Sequence, residues 1–274
     1  MKKFLAVVLA AVLALSLASA SALTIAVPND PTNEGRALLL LENAGLIALD
    51  DNAGITATVQ DITENPQGIE FVEAEAAMLP NLLADVDYAV INGNYALAAE
   101  LPAALLYEDA ASPYVNVVSV NADNADSVEA KVLTAAVMSQ QVVDYFAAGD
   151  GSAISVIENP TDGYDADVDY AALAGTTIKV VCTLDPHSYV LEIAKDILAE
   201  KDITLDITVV DDYITPNVMV DSGDAFANYF AHSPYQEDYN AQNGTNLVTI
   251  AGVHVEPMGL YAGQQADLTA LGLE

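Results

Sequence analysis

Residues 27–41 read VPNDPTNEGRALLLL, and this stretch decides the fold. The apolar residues 23–27 predict a short strand that ends where this stretch turns. Asp30 is a favourable helix N-cap and Pro31 a favourable first helical residue, so a helix is predicted to begin here. The helix carries a run of leucines and is closed by Gly45. A strand that leads directly into a helix is typical of an α/β protein.

The same alternation of strands and helices continues along the chain. Strands of ordinary length that alternate with helices imply parallel sheets with helices on both faces. We find no internal repeat, and two α/β lobes are the simplest interpretation. Further strands are predicted at residues 88–91, 114–120, 177–182, 205–210, 225–229 and 247–250, further helices at 74–84, 125–146 and 186–200, and an apolar periodicity at 55–62.

One segment interrupts the alternation. Residues 149–175 are acidic, contain Gly, Asn, Pro and Tyr, and show no sustained period. We interpret them as a linker or surface excursion between two blocks of α/β structure.

The first residues have the pattern of an export signal. Lys2 and Lys3 precede an apolar run at 4–17 and small residues at 18–22, which predicts a secretory signal peptide over residues 1–22. The run of about 14 residues is shorter than the roughly 20 that a membrane helix needs. An uncleaved N-terminal anchor is the alternative interpretation. Cys182, the only cysteine, is too far from residue 20 to carry an N-terminal lipid and cannot form an internal disulfide.

The charge of the chain is strongly negative. The formal net charge is −33, and 40 residues are Asp or Glu. A hydrophobic content of 53% is enough to build buried cores, so this charge does not indicate disorder. Such a surface repels nucleic acid and anionic lipid, and we expect no nucleic-acid partner. The acidity is best interpreted as an adaptation to solubility or salt and says little about a ligand.

Polar residues follow two of the predicted strands. Arg36 is the only arginine, and a guanidinium near a helix N-terminus suits a carboxylate. The alternative is a surface arginine paired with Glu34 or Glu42. Asn92 and Asn94 directly follow a buried strand, where ligands bind in open α/β sheets and where amide oxygens can accept from an ammonium. A plain tight turn would explain these asparagines equally well.

An aromatic segment is the third candidate. Residues 228–235 read NYFAHSPY, with three aromatics, a histidine and an amide. Aromatic rings with polar tips suit an apolar side chain, and sulfur–ring contacts would suit methionine. Core aromatics at a strand-to-helix junction are the alternative. Tyr213 could supply a further ring.

Catalytic patterns are not found. His187, His232 and His254 lie on separate predicted elements without metal-ligand spacing, and the sequence contains no G-x-S-x-G, P-loop or G-x-G-x-x-G motif. We therefore expect a binding protein rather than an enzyme, with no cofactor and no metal.

The residues above resemble those of the NlpA/MetQ family of methionine-binding lipoproteins of ABC importers. The similarity extends over nearly all of the chain after residue 22, except about 147–175. The segments that carry it are 27–41, 89–96 (AVINGNYA), 228–235, 253–261 (VHVEPMGLY), Pro186-His187, Asp212-Tyr213 and Pro216-Asn217.

The order of these segments differs from that of the family. The family has the Pro-His, Asp-Tyr and His-Val-Glu-Pro-Met segments first, whereas here 27–41 and 89–96 lead. The chain therefore resembles a circular permutant, with the usual ends joined through about 147–175 and new ends opened between Glu274 and Leu23. The missing lipidation cysteine is a second departure, and it implies a periplasmic or secreted form without a lipid anchor.

The resemblance implies a two-lobed periplasmic-binding-protein clamshell, each lobe a mostly parallel sheet flanked by helices. The lobes would comprise residues 23–110 and 111–260, with 261–274 as a C-terminal hinge tail. The protein would capture L-methionine or a close analogue as a monomer and deliver it to the permease of an ABC importer. The alternatives are another apolar amino acid, a methionine-containing dipeptide, an enzyme on the same scaffold, or a permuted chain that no longer binds.

The resemblance also implies roles for individual residues. Arg36 would hold the ligand carboxylate, with Asn92 and Asn94 on the ammonium side. The family often has Gln where Ala231 stands, so no polar contact is expected from that position. The side-chain pocket would be formed by Tyr213, Phe230, His232 and Tyr235, with Asn228 and His187 as further candidates.

Overall fold

The computed structural model describes residues 22–109 and 113–273, and the predicted signal peptide lies almost entirely outside them. The helices are α1 (Pro31–Asn43), α2 (Leu79–Leu82), α3 (Gly93–Ala98), α4 (Val128–Val137), α5 (Gln140–Ala148), α6 (Tyr189–Ala199), α7 (Thr215–Ser222) and α8 (Ser233–Asn243). The longer strands are β1 (Thr24–Pro28), β4 (Glu70–Ala74), β5 (Tyr88–Ile91), β7 (Val115–Asn121), β9 (Thr177–Cys182), β10 (Thr204–Val209), β11 (Ala227–His232), β12 (Leu247–Val255) and β13 (Gly259–Ala262). The short strands are β2 (Ala48–Leu49), β3 (Ile62–Glu64), β6 (Leu106–Tyr107) and β8 (Ile154–Ser155).

The first lobe is built on a five-stranded sheet of order β4-β1-β5-β13-β6. The turn after β1 forms as predicted: the Asp30 side chain caps α1 by accepting from the Asn33 backbone N–H, and Pro31 opens the helix. The leucines of α1 pack on the sheet, with Leu38 and Leu41 fully buried. Burial of this helix face fixes the N-terminal end of α1 at the edge of the sheet where β1 ends.

The second lobe is built on a six-stranded sheet of order β10-β9-β11-β7-β12-β8. Its core joins the sheet to α4, α5 and α6 through buried residues such as Leu133, Val180, Leu191 and Tyr229. Cys182 is buried in β9 as a free thiol. The two α/β lobes expected from the sequence are therefore present.

Both sheets are mixed rather than mostly parallel. β1 runs parallel to β4 and β5, and β9 runs parallel to β10 and β11, but β7, β12 and β13 pair antiparallel with their neighbours. These antiparallel strands lie next to the points where the chain passes between lobes. A chain that enters a sheet from the other lobe, without a crossover helix, can pair antiparallel.

The chain passes between the lobes twice. It leaves the first sheet after β6 and enters the second at β7, and it returns between Val255 and Gly259. The return comes a few residues before the predicted boundary at 260. Residues 259–273 are part of the first lobe, because β13 pairs with β5 and Leu271 is buried in the first core.

Two predicted helices differ from the structure. The helix predicted at 125–146 is divided into α4 and α5, because the backbone around Met138 and Gln140 pairs with Thr161. Residues 74–84 form a 3-10 turn and the short α2. The stretch at 55–62 contains two further 3-10 turns, Gly54–Thr56 and Val59–Asp61.

The acidic segment at 147–175 is packed against the second lobe. β8 pairs with the end of β12, and Ile157 is buried in the core. The Tyr164 hydroxyl donates to the Ile197 carbonyl at 3.1 Å. In the two described ranges, no helix is both long enough and apolar enough to span a membrane.

Candidate ligand-binding site

A small cavity of about 10 Å³ lies between the two lobes. This volume holds about one water molecule, so a larger ligand can enter only if the lobes move apart. The first lobe and the return crossing supply Asn33, Arg36, Asn92, Gly93, Asn94 and Glu256. The second lobe supplies Asn116, Tyr213, Phe230, Ala231, His232 and Tyr235. Seven of the nine predicted ligand residues therefore line one cavity.

Arg36 is held rigidly on the wall of this cavity. Its side chain is 4% exposed, Nε donates to Glu108 Oε2 at 2.8 Å, and Nη2 donates to Glu108 Oε1 and to the Glu256 carbonyl. The ring of Tyr114 lies 4.3 Å from the guanidinium carbon. These contacts use Nε and Nη2, and Nη1 is the remaining donor group. Burial of the side chain argues against a surface arginine paired with Glu34 or Glu42.

Asn92 presents an acceptor that the described residues do not use. It follows the buried strand β5, caps α3 in an extended conformation and donates from Nδ2 to Asn33 Oδ1 at 2.7 Å. Its own Oδ1 is buried and has no hydrogen-bond partner among the described residues. A buried acceptor without a partner is costly, so a donor group on a ligand would stabilise this arrangement.

Three hydrogen bonds join the lobes around the cavity. The Tyr213 hydroxyl donates to Asn94 Oδ1 at 2.6 Å, and the Tyr95 hydroxyl donates to the Asp211 carbonyl at 2.9 Å. The His232 Nε2 atom lies 3.0 Å from Asn33 Oδ1. The lobes are therefore in contact, and the described conformation is a closed one.

Three aromatic rings form the opposite wall. The Tyr213 and Phe230 centroids are 5.8 Å apart, as are those of Tyr213 and Tyr235, and the Phe230 and Tyr235 centroids are 5.9 Å apart. The Tyr235 hydroxyl donates to the Tyr213 carbonyl at 2.6 Å, so the rings are fixed relative to one another. A wall of three fixed rings suits an apolar or thioether side chain.

His232 lies on the second-lobe wall and hydrogen-bonds to Asn33 on the first-lobe wall. Its Nδ1 accepts from the Tyr235 backbone N–H at 3.1 Å, which places the ring proton on Nε2, toward Asn33. Burial, together with the nearby Arg36 charge, holds the pKa of His232 well below its usual range. The ring is therefore a neutral hydrogen-bond donor at neutral pH.

Asn228 and His187 were predicted at the site but do not line the cavity. β11 contains a register shift between Tyr229 and Ala231, and Asn228 lies before it, where its Nδ2 donates to Asn217 Oδ1. His187 lies one layer behind the wall. Its Nε2 is 3.1 Å from Oδ1 of Asn116, which does line the cavity.

Comparisons with known proteins identify the family of the chain. A family model described as NlpA lipoprotein matches residues 17–155 and 178–273, which is most of the chain. The chain belongs to the NlpA lipoprotein family.

The curated relatives match this NlpA-family chain over part of its length. The D-methionine-binding lipoproteins MetQ of Yersinia pestis and of Escherichia coli K12 are each 45% identical over 125 residues, which are 44% of this chain and 46% of theirs. The chain thus spans less than half the length of the curated relatives it matches.

Solved structures are also similar in part. A Burkholderia cenocepacia nutrient-binding protein bound to methionine is 57% identical over 29% of this chain and 34% of its own, with a TM-score of 0.29. The substrate-binding protein of a methionine transporter from Streptococcus pneumoniae is 45% identical over 30% and 32%, with a TM-score of 0.29.

Five lining residues of this NlpA-family cavity were not among the predicted ligand residues: Asn33, Gly93, Asn116, Ala231 and Glu256. Asn33 and Glu256 lie inside the motifs that resemble the family, but polar residues are so numerous there that neither stood out. The signal for Asn116 was a polar residue within an apolar strand. Gly93 is required by close packing, because a Cβ atom there would lie 2.7 Å from the Glu256 Cβ atom.

One cluster beside the cavity has the residue types of a metal site. Ligand atoms of His187, His254 and Glu256 lie within 4.8 Å of one another. However, His254 Nε2 is 2.5 Å from Glu256 Oε1, a hydrogen-bond distance. A zinc ion at its usual bond lengths would hold tetrahedral ligand atoms about 3.3 Å apart. The cluster is therefore arranged as a hydrogen-bonded chain, which continues from His254 Nδ1 to the Tyr229 hydroxyl at 2.5 Å.

Proposed function

We propose that this protein is an extracytoplasmic solute-binding protein that captures methionine, or a close analogue, for an ABC importer. The observation that carries the proposal is the cavity between the lobes. One of its walls holds a buried guanidinium and an unpartnered amide oxygen, and the other holds three aromatic rings. An amino acid with an apolar side chain has matching groups at its two ends.

The proposed mechanism is capture without chemical change. The ligand carboxylate binds Arg36, its ammonium donates to Asn92 Oδ1 on the side where Asn94 lies, and its thioether packs against Phe230 and Tyr235. The contacts between the lobes then hold the closed form. Exclusion of water strengthens the charged contacts, since they lie in a lower dielectric. The importer recognises the closed form.

Membership of the NlpA lipoprotein family supports the transport role. Relatives that match part of the chain are named as D-methionine-binding lipoproteins, and we carry methionine over to this chain on the strength of the cavity. We further propose that the protein is exported by the signal peptide at 1–22, acts as a monomer without a lipid anchor, and delivers its ligand to a membrane permease.

We also propose that the chain is a circular permutant of the family. The family match falls in two segments that omit 156–177, close to the predicted joint at 147–175. Leu23 packs in the same apolar cluster as Leu271 and Leu273, so the two sides of the proposed break meet in the first lobe. A reordered chain, in which residue 273 is joined directly to residue 23 and the new ends lie within 147–175, should fold. Its melting temperature should be similar to that of the chain in its present order. Failure of the reordered chain to fold would contradict the permutation.

The binding function is tested by thermal melting with candidate ligands. L-methionine, D-methionine, methionine sulfoxide, leucine and a Gly-Met dipeptide should be compared, with lysine as a control. A ligand raises stability by RT ln(1 + [L]/Kd), so the best ligand gives the largest shift. We expect a methionine enantiomer to rank first. A larger shift of the melting temperature with leucine or Gly-Met would identify that compound as the ligand instead of methionine. No shift with any compound would contradict the binding function.

A further inference from the structure

Glu256 is the second charged side chain on the wall of the cavity, besides Arg36. It lies at the return crossing between the lobes and is only 4% exposed. The other lining residues are amides, aromatics, glycine, alanine and a neutral histidine. One cation and one anion therefore face a space in which a zwitterionic amino acid is proposed to bind.

Among the residues that the structure describes, no lysine or arginine side chain forms an ion pair with the Glu256 carboxylate. Arg36 forms its ion pair with Glu108. The basic groups beside the Glu256 carboxylate are His254 at 2.5 Å and His187 at 3.6 Å, and burial lowers the pKa of each histidine to about 3. Both rings are therefore neutral at neutral pH. Burial of a carboxylate without a cation is costly, and it raises the pKa of Glu256.

The carboxylate is nevertheless held in a fixed position. An ionised Glu256 carboxylate can only accept, so the His254 ring proton lies on Nε2 and is donated to Glu256 Oε1, and Nδ1 then accepts from the Tyr229 hydroxyl. The Asn94 backbone N–H also donates to this carboxylate. A carboxylate can accept about four hydrogen bonds, so acceptor sites remain for a ligand.

Glu256 and Asn92 lie on either side of Gly93. A Cβ atom at Gly93 would lie 2.7 Å from the Glu256 Cβ atom, so glycine lets the start of α3 approach Glu256 this closely. The unpartnered Asn92 Oδ1 belongs to the adjacent residue. Two kinds of acceptor, one charged and one neutral, are therefore brought to the same part of the cavity, and a cation with several N–H donors would satisfy both.

We infer that Glu256 is the ionic partner of the ligand's α-ammonium, and that His254 and Tyr229 are positioning residues that aim its carboxylate. This inference rests on the proposed function. Arg36 Nη2 donates to the Glu256 backbone carbonyl at 2.8 Å, which ties the carboxylate-binding group to the ammonium-binding group. The site therefore selects compounds that carry both charges on adjacent positions and rejects carboxylic acids that lack the amine.

Calorimetric titration at pH 7.5 with three probes tests this inference. The probes are L-methionine, L-methioninamide, which lacks the carboxylate, and 4-(methylsulfanyl)butanoate, which lacks the amine. Glu256→Gln should weaken methionine binding about 30-fold or more, since one partner of a buried charge pair is removed. The same substitution should leave the affinity for the deaminated acid unchanged or higher. Glu192→Gln, at an exposed acid on α6, is the matched control and should change neither affinity.

Two outcomes would overturn the inference. Glu256→Gln could leave methionine affinity unchanged, or it could weaken methionine and the deaminated acid equally, as a general packing defect would. If the wild-type protein binds none of the probes, the proposed function itself fails. Should the variant not fold, a crystal structure of the wild-type complex with L-methionine decides: the ammonium nitrogen should lie within hydrogen-bond distance of a Glu256 carboxylate oxygen, and a direct contact with Asn92 alone would contradict the inference.

Discussion

The two walls of the cavity are built from different chemistry. The first-lobe wall presents Arg36 and asparagines at the ends of strands, whereas the second-lobe wall presents the rings of Tyr213, Phe230 and Tyr235. In the proposed complex, the first wall contacts the charged groups of the ligand and the second contacts its apolar side chain. Each lobe alone offers half of a site for an amino acid, so tight binding requires the closed arrangement in which both walls meet the ligand.

Removal of the Arg36 guanidinium should have the largest effect on ligand affinity. Arg36→Gln removes the charged partner of the ligand carboxylate, and we expect methionine affinity to fall about 100-fold or more, since truncation of a buried charge pair costs roughly 2–5 kcal/mol. Affinity for alanine, if measurable, should fall by a similar factor, because the lost contact is common to all amino acids. Calorimetric titration measures both.

The control for Arg36→Gln must separate binding from folding. The substitution leaves the half-buried Glu108 without its cation, so the double variant Arg36→Gln with Glu108→Gln should recover stability but not affinity. Lys195→Gln, at an exposed cation on α6, should change neither. Recovery of methionine affinity in the double variant would contradict the role of Arg36.

Acidic pH should lower the free energy of unfolding, because three histidines are buried in the neutral form. Burial lowers the pKa of His187 and His254 to about 3, and it holds the pKa of His232 well below the usual 6.5. The unfolded chain therefore binds more protons below about pH 6.5, and stability falls with pH by up to about 1.4 kcal/mol per pH unit for each histidine.

Denaturant titrations at pH 7.5, 6.5 and 5.5 measure this dependence. Desolvation raises the pKa of the Asp30 and Glu256 carboxyls, which act in the opposite sense, since they are protonated more readily in the folded state. Replacement of His187 by Gln should make the dependence of the unfolding free energy on pH shallower, by the contribution of one histidine. An equal pH dependence for the wild type and the His187→Gln variant would show that His187 is not buried as described.

Truncation of the aromatic wall should change selectivity. Phe230→Ala removes one of the three rings, and we expect methionine affinity to fall about 10-fold, in line with the roughly 1–3 kcal/mol that an apolar contact contributes. Alanine, which is too short to reach the ring, should lose much less. Phe71→Ala, in the first-lobe core, is the control that lowers stability without a change in selectivity. Equal losses for methionine and alanine would argue against the division between the walls.

Removal of the hydrogen bond between the walls should have the smallest effect on methionine affinity. Tyr213→Phe removes the hydrogen bond to Asn94 Oδ1 and keeps the ring. We expect methionine affinity to fall about 3- to 10-fold, as for one hydrogen bond of about 1 kcal/mol. Tyr164→Phe, in the acidic segment, is the matched control. A gain in affinity for Tyr213→Phe would show that this bond opposes binding.

The sequence predicted the position of Arg36 on the first-lobe wall, but not the acidic residue with which Arg36 pairs. Asp30, Pro31 and the leucines after Arg36 specify a strand–helix junction locally, so the position of Arg36 could be predicted. Glu108 could not, because it lies 72 residues from Arg36 and forty acids offer no distinguishing pattern. The pairing of Arg36 with Glu108 depends on the first crossing between lobes, which is a property of the whole chain.

The aromatic wall shows the same limit in another form. Residues 228–235 stood out by composition, but alternation alone cannot tell which of them face the cavity. The register shift in β11 separates Asn228 from Phe230 and so removes one predicted residue from the wall. The antiparallel strands were missed for a related reason, since strand direction is decided by the crossings and not by local apolar pattern.

The central claim is that one cavity recognises the carboxylate of an amino acid with Arg36 and its side chain with aromatic rings. The most direct measurement is calorimetric titration of protein freed of bound ligand by unfolding and refolding, first with L-methionine and then with L-methioninamide. We predict saturable binding of methionine at one site per chain, and binding of the amide about 100-fold weaker or undetectable. Equal affinity for the two compounds, or no heat with methionine, would contradict the account.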